Sequence, residues 1–413
     1  MQFDFKTAFL NAPIPDDIDY YVEPLVGLNK PEGMVCRLKK ALYGLRQSLQ
    51  YWYNTVKPLL EAGGFESLDS DACLFRHRRY DILLLLYVDD LLIAVPSILV
   101  INNVRDQIAK QFELKELGLV KRFLGFDVIR DRARRKIFVS QESYIRALLA
   151  KKDMTACNPV QTLWPSKMEL PTIWEPVMNR QREYIKDTGS LNWLSMGTRP
   201  DITYTASRLA EANAGPSQSH LDLLKHVLRY LSGTVTQGIE FRGEGIDHRD
   251  MKLMAFADAS LADRLPSRHS TGGYVVFVAG APVLWKSKKQ TFVALSSTEA
   301  EFTNLTPTAL SMMWVSQTLK DCGAPQKAPM VIFTDSNNAY QTVLNPANKA
   351  RTRTIDIRYK WIIEKVQRGE FSVNHVAGIQ MPADGLRKPL LKEKHVAFMG
   401  MMGMKAKAIP WAN

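Results

Sequence analysis

ILLLLYVDDLLIAV, residues 82 to 95, holds two apolar runs of strand length around Val88, Asp89 and Asp90. Short apolar runs flanking an acidic break predict strand, tight turn, strand. Extended to ILLLLYVDDLLIAVPSILVI, the stretch approaches the length of a membrane span. Its central aspartates oppose that reading, since each costs roughly 2.5–3.5 kcal/mol at the centre of a spanning helix. A hairpin presenting an acidic turn is the expectation, with no membrane partner.

Carboxylates at a hairpin tip are either an exposed turn, which is common, or part of a cation site. Asp4 lies on a short apolar strand, FDF at residues 3–5. Pairing of that strand beside the hairpin would make Asp4, Asp89 and Asp90 a two-metal centre of the kind polymerases use. Spacing alone leaves both readings open.

Around the hairpin, VCRLKKALYGLRQSLQYWYNTVKPLLEAGG predicts a strand and an amphipathic helix that stops at Gly63–Gly64. INNVRDQIAKQFELKELG reads as one further helix. KRFLGFDVIRDRARRKIFVSQ reads as a hairpin whose turn is basic, Arg130 to Lys136. Residues 157–180, rich in Pro, Trp and Ser/Thr, read as a linker. The segment that follows is helical, punctuated by Pro200 and Pro216.

The pattern changes at residue 251. KLMAFADAS, GGYVVFVAG and APVLWKSKK predict three meandering strands, and TFVALSS a short one leading into a helix. Then come a strand (MVIFTDS), two helices (NNAYQTVL and DIRYKWIIEKVQRG), a strand (EFSVNHVAG) and a last short helix near ADGLRKPL. Meandering strands followed by alternating helix and strand indicate an α/β domain with a mixed sheet.

Here the acidic residues sit at element ends. Asp258 alternates with Met254 and Phe256 and so shares their face. Asp335 ends the run VIF, and Asp384 opens the last short helix. In SSTEAEF, Ser296 with Glu299 and Thr298 with Glu301 both have capping-box spacing. At 100° per residue Glu301 lies about 40° from Leu305, on the apolar stripe of Leu305, Ala309 and Met312, whereas Glu299 lies about 120° away. Glu299 is thus expected to face solvent or its own cap, and Glu301 to face the sheet. Pro307 is expected to kink the helix. A carboxylate on an apolar face is costly unless paired or metal-bound. Asp258, Glu301, Asp335 and Asp384, with no inward Lys to balance them, suggest a Mg²⁺ site that hydrolyses phosphodiesters through two ions, with Mn²⁺ as a substitute.

The 413 residues suffice for two or three domains, and a net charge of +12 with a pI near 9.4 suggests a polyanionic partner, nucleic acid first. Four cysteines without a CxxC pair argue against zinc and against a disulfide framework. MQFDFKTAFL lacks a signal-peptide layout, so a reducing intracellular setting, cytoplasmic or nuclear rather than secreted, is expected.

Together these segments resemble the reverse transcriptase and RNase H parts of copia-type retrotransposon polyproteins. DFKTAFLNAPIPDDIDYYVEP is similar to the family's palm motif, VCRLKKALYGLRQSLQYWY to its nucleotide-pocket motif and LLLYVDDLLIA to its catalytic hairpin. LVKRFLGFDVIRD with IFVSQESYI resembles the approach to the thumb, and GSLNWLSMGTRPDITYTASRLA with HVLRYLSGT the connection. FADASLADRLPSRHSTGGYVVFVAGAPVLWKSKKQTFVALSSTEAEF, FTDSNNA, RTRTIDIRY and PADGLRKPL resemble the RNase H segment. The likeness implies an α/β and α+β multidomain chain: a palm remnant at 1–96, palm end and thumb-like segment at 97–165, helical connection at 166–250, RNase H-like mixed-sheet domain at 251–390, and a tail at 391–413. It also implies that Asp4, Asp89 and Asp90 are polymerase metal ligands, and that Asp258, Glu301, Asp335 and Asp384 are the RNase H set. Phe9 matches the aromatic that excludes a ribose 2′-hydroxyl, and Gly44 a glycine that lets backbone approach the incoming nucleotide. Implied partners are an RNA template, an RNA–DNA hybrid and deoxynucleoside triphosphates.

Three departures stand out. The family's basic fingers region precedes its first catalytic aspartate, and this chain starts three residues before Asp4, so templated synthesis is expected to be lost with that positioning. SerLeu at 48–49 replaces a small residue plus proline. Gly385 and Arg387 depart from the usual tail of the last motif. Rival readings are a non-catalytic binder of RNA–DNA hybrids and a free-standing RNase H with a structural N-terminal half. Binding through phosphate contacts, expected from the net charge of +12 and the basic clusters Arg130–Lys136 and Lys349–Arg353, should make affinity for a hybrid fall steeply with salt. Filter binding that gives the same affinity at low and physiological salt would overturn it.

Overall fold

The computed structural model describes residues 1–24, 27, 33–95, 97–165, 168–246, 251–345 and 357–407. The basic cluster Lys349–Arg353 and most of RTRTIDIRY lie outside the described residues. The chain divides into two compact units, residues 1–120 with 321–323, and residues 121–320 with 324–413.

In the first unit the elements are β1 (Gln2–Phe5), β2 (Tyr21–Val22), β3 (Cys36–Arg37), α1 (Ser48–Ala62), β4 (Phe65–Ser67), β5 (Leu74–His77), β6 (Leu83–Tyr87), β7 (Asp90–Ala94), α2 (Ile98–Ala109) and β8 (Leu114–Gly118). Six strands form one sheet in the order β4-β5-β6-β7-β1-β8, antiparallel throughout. The apolar run of the hairpin is divided by the pleat. Leu84, Leu86, Leu91 and Ile93 are buried, and Leu83, Leu85 and Leu92 are half-buried. Against the buried face pack Trp52, Val56 and Leu60 of α1 and Ile101, Val104 and Ile108 of α2.

The helix expected over residues 101–118 ends early, at Ala109. Leu114–Gly118 instead pairs antiparallel with β1, Asp4 opposite Lys115. ELKEL is composed of good helix formers, but a free sheet edge offers it a full ladder of backbone hydrogen bonds, and pairing overrides propensity.

The second unit holds β9 (Arg122–Phe123), β10 (Phe126–Asp131), β11 (Lys136–Ser140), α3 (Glu142–Lys151), α4 (Gln181–Gly197), α5 (Thr203–Ala210), α6 (Gln218–Gly233), β12 (Gln237–Arg242), β13 (Leu253–Ala259), β14 (Thr271–Val278), β15 (Ala281–Lys289), α7 (Ser297–Asp321), β16 (Met330–Thr334), α8 (Asn337–Leu344), β17 (Phe371–His375) and β18 (Met404–Ala406). Helices Ile357–Gln367, Asp384–Arg387 and Lys392–Met401 complete it. One sheet runs β18-β12-β11-β10-β9 and the other β15-β14-β13-β16-β17. In the latter, β13, β14 and β15 form the expected meander, while β16 and β17 run parallel to β13.

Both faces of that mixed sheet are covered. Ala255, Ala257, Tyr274 and Val276 pack with Phe302, Leu305 and Met312 of α7. Met254, Phe256, Val275 and Phe277 pack instead with Leu386, Phe398 and Met402. Two glycines in β14 permit the close fit. A Cβ on Gly272 would lie 2.2 Å from Asn304 Oδ1, and one on Gly273 2.8 Å from Leu386 Cβ. Helix α7 runs unbroken through Pro307.

Three further expectations are corrected. TFVALSS forms no strand, because Ala294 packs on Ala259 and Ala300 as a lead-in to α7 rather than pairing with a neighbour. The linker is packed: Leu163 is buried, with Cys157, Val160 and Trp164 against the helical core. Finally, the chain beyond residue 390 adds a helix and β18, which pairs with β12. His395 on that helix reaches a buried network in which Arg199 grips Asp201 at 2.7 Å and both are fully buried. Tyr230 OH donates to Asp201 Oδ2 at 2.7 Å and lies 2.8 Å from His395 Nε2.

Trp52 joins the first unit's core to its hairpin. Its ring meets Phe5 and Phe112 edge-on at 5.1 and 5.2 Å, and its Nε1 donates to the Val88 carbonyl at 2.6 Å. Trp52→Ala is expected to cost about 3–5 kcal/mol in urea unfolding. Leu85→Ala, on the half-buried face, should cost clearly less, and equal losses would show that the core lies on the other side.

Candidate metal centres

In the second unit, parallel pairing brings the carboxyl ends of β13 and β16 to one edge of the sheet. Asp258 is the penultimate residue of β13 and Asp335 follows β16 directly. Helix α7 begins at the same edge and delivers Glu301, whose Oε2 accepts the Ala259 N–H at 2.9 Å. Asn304, one turn further on, donates to the carbonyls of Asp258 and Gly273, both at 2.9 Å. These side-chain bonds sew the helix to the strand ends.

Among the described residues, Asp258, Glu301 and Asp335 each offer one carboxylate oxygen, all within 4.8 Å of one another. Asp258 is fully buried, Glu301 is buried and Asp335 is half-buried. Burial raises the Asp258 carboxyl above the usual range, against the pull of Arg387 and with a smaller push from the charge of Asp335. Glu301 is raised further, by burial first and Asp258 second. Such a cluster, left to itself, holds protons; a hard divalent cation satisfies the same oxygens. Asp258 Oδ1 is buried and has no hydrogen-bond partner, which fits a donor set built for a cation.

The two glutamates of SSTEAEF part company here. Ser296 Oγ accepts the Glu299 N–H at 3.1 Å, while Glu299 Oε2 accepts the Leu295 N–H at 2.7 Å. Glu299 therefore caps, as its spacing predicts. Its expected exposure is corrected: at 8% it is buried, because the lead-in segment folds over it.

Asp384 does not join the group of three. Its Oδ1 is held by Arg387 Nη2 at 2.9 Å and by Lys388 Nζ at 2.5 Å. Arg387 Nε donates to Asp258 Oδ2. The carboxylates, expected to have no inward Lys to balance them, are balanced by an arginine instead. An arginine three residues after Asp384 was visible as a departure from the motif. Its direction depends on a one-turn helix too short to carry a periodicity.

In the first unit, Asp4 sits directly opposite Asp90 across β1 and β7. The Phe5 N–H donates to the Asp89 carbonyl at 2.8 Å, and Gln2 Nε2 donates to Asp90 Oδ1 at 3.1 Å. Asp4 is raised by burial and by Asp89 and Asp90, with Lys115 opposing. Val88 holds the turn at φ 56°, a left-handed conformation rare for a β-branched residue. Phe9 lies on the turn of 3₁₀ helix Ala8–Asn11, its ring 4.7 Å from that of Tyr43. Tyr43, absent from the sequence reading, has its hydroxyl raised by burial and by Asp89 and Asp4. Gly44 adopts φ 101° with open space where a Cβ would sit, so backbone conformation demands the glycine.

The family model described as "Reverse transcriptase (RNA-dependent DNA polymerase)" matches residues 1–165. The chain is 34% identical over 98% of its length to the Retrovirus-related Pol polyprotein from transposon TNT 1-94 of Nicotiana tabacum, covering 31% of that protein. It is 31% identical to the Putative transposon Ty5-1 protein of Saccharomyces cerevisiae, over 75% of this chain and 100% of that one. The chain belongs to the copia-type retrotransposon Pol family. It spans about a third or less of the length of the plant Pol polyproteins it matches, 31% for the tobacco protein and 27% for transposon RE1 of Arabidopsis thaliana. Among solved structures, LC11-RNase H1 in complex with RNA/DNA hybrid is similar at 13% identity and a TM-score of 0.25, over 33% of this chain and 94% of that one. This Pol segment combines a six-stranded antiparallel sheet, which lies within the stretch that the reverse-transcriptase model matches, with a helical layer and a mixed five-stranded sheet in the second unit.

A carboxyl raised in the folded state is protonated there while already ionised in the unfolded chain. It therefore costs stability as pH rises from the ordinary value, 4.5 for glutamate, toward its folded value. In metal-free thermal melts, Glu301→Gln is expected to gain on the parent as pH rises from about 5 to 8. Glu299→Gln should lose about 0.5–2 kcal/mol of capping at every pH. A pH-independent difference for Glu301→Gln would contradict the assigned charge environment.

Proposed function

We propose that this chain is the reverse transcriptase and RNase H portion of a retrotransposon Pol protein, and that its second unit hydrolyses the RNA strand of an RNA–DNA hybrid with Mg²⁺ or Mn²⁺. The observation that carries this reading is the meeting of Asp258, Glu301 and Asp335 within 4.8 Å. The assigned stretches are a palm at 1–96, palm end and thumb-like segment at 97–165, connection at 166–250 and RNase H-like domain at 251–390.

Asp258, Glu301 and Asp335 would hold the cations, with Asp384 available if its side chain leaves Arg387 and Lys388. Bound there, divalent cations supply Lewis acidity toward a phosphodiester and lower the pKa of a bound water. The chain's own residues keep the donor set fixed: Asn304 locks the strand ends, and the Ala259 N–H orients Glu301. The raised carboxyls of Asp258 and Glu301 must lose protons before a cation is held, so metal affinity should rise with pH.

In the first unit, Asp4, Asp89 and Asp90 are assigned to nucleotidyl transfer with deoxynucleoside triphosphates. Phe9 and Gly44 are assigned to the nucleotide pocket. The net charge of +12 supports a nucleic-acid partner.

A purified chain given a labelled RNA–DNA hybrid is expected to cut the RNA strand with Mg²⁺ or Mn²⁺ and not in EDTA. Asp258→Asn and Glu301→Gln should lower the rate by at least a hundredfold, while Glu299→Gln keeps it. Cleavage that persists in both of the first two variants would overturn the assignment.

A further inference from the structure

We propose that Arg387 is a built-in competitor for the divalent cation: its guanidinium neutralises Asp258 from inside the fold, so that metal is held only after this side chain is displaced. The inference rests on the carboxylate reading above and goes beyond it to what governs access to the site.

Arg387 bridges two carboxylates, with Nε on Asp258 Oδ2 and Nη2 on Asp384 Oδ1 at 2.9 Å. It is not a loosely placed surface arginine, since its side chain is only 18% exposed. The helix that carries it is wedged in place. Leu386 is fully buried against Gly273, and a Cβ on Gly385 would lie 2.6 Å from Phe398. The position of Arg387 is thus set by packing on both sides.

The second observation is the state of Asp258. Its side chain is fully buried, one oxygen is taken by Arg387, and the other has no hydrogen-bond partner. A buried carboxylate accepts several donors or a cation; here it has one guanidinium nitrogen and, while Glu301 is protonated, that neighbour's carboxyl. The unpartnered oxygen belongs to the residue that also meets Glu301 and Asp335. A guanidinium and a divalent cation both seek the Asp258 oxygens, and like charges at such range exclude one another. Lys388 reinforces the effect by occupying Asp384 at 2.5 Å.

Arg387→Gln keeps an N–H donor for Asp258 and removes the charge; Arg387→Ala removes both. Calorimetric titration of the full chain with Mg²⁺, and with Mn²⁺ followed by electron paramagnetic resonance, reads affinity without reference to turnover. Both variants are expected to bind at least tenfold more tightly than the parent. Melts in EDTA should show Arg387→Ala less stable than the parent, with Mg²⁺ restoring it. If Arg387→Ala fails to fold, Arg387→Gln decides alone. Equal affinity in parent and Arg387→Gln would overturn the competitor role and leave the metal site standing. No binding in any form, while the parent and Arg387→Gln both fold, would overturn the carboxylate reading itself.

Discussion

Asp258 is shut off from solvent at the end of a strand, and a carboxylate in that position must receive a proton or a positive charge. Much of the second unit's mixed sheet is arranged around this demand. Parallel pairing of β13 with β16 carries Asp335 to the same edge, and α7 starts there with Glu301. Asn304 and the paired glycines of β14 let helix and strands approach closely enough for the oxygens to converge. Repulsion among three carboxylates makes the convergence unstable by itself. Arg387 offsets part of it by pairing with Asp258, and the same guanidinium holds Asp384.

The first unit meets a comparable problem with antiparallel geometry. Register, rather than strand ends, sets Asp4 against Asp90. The turn that follows β6 is strained at Val88, by an amount of order 1–3 kcal/mol for a non-glycine residue in the left-handed region. Trp52 compensates by holding the Val88 carbonyl while its ring fills the core between Phe5 and Phe112. Packing energy is thereby used to keep an acidic turn in one conformation. Here Gln2 and Lys115 moderate the charge, and the carboxylates remain more open than those of the second unit.

Buried charge also organises the helical layer. Arg199 and Asp201 are both inaccessible, and Tyr230 and His395 extend their network to the chain's last helix. Removing one partner from such a pair leaves an uncompensated charge, at a cost of about 3–5 kcal/mol. Residues 392–406 are held to the unit by the pairing of β18 with β12 and by Phe398, Met402 and Met404 packing on Val275 and Phe277.

Much of this was legible in the chain. Alternation and wheel position assigned Asp258 to the Met254 and Phe256 face and separated the capping Glu299 from the inward Glu301, because pleat and helix periods are local properties of the backbone. The hairpin at 83–94 and the meander from 253 were legible for the same reason. The conversion of Leu114–Gly118 into a sheet edge was not, since its propensity is helical and its partner lies over a hundred residues away. Nor was the burial of Glu299 or the turn of Arg387 into the carboxylates. Sequence by itself separated the capping Glu299 from the sheet-facing Glu301; only the tertiary structure decided which carboxylates meet and that Arg387 pairs with Asp258, because charge pairing depends on distances through space that no local period encodes.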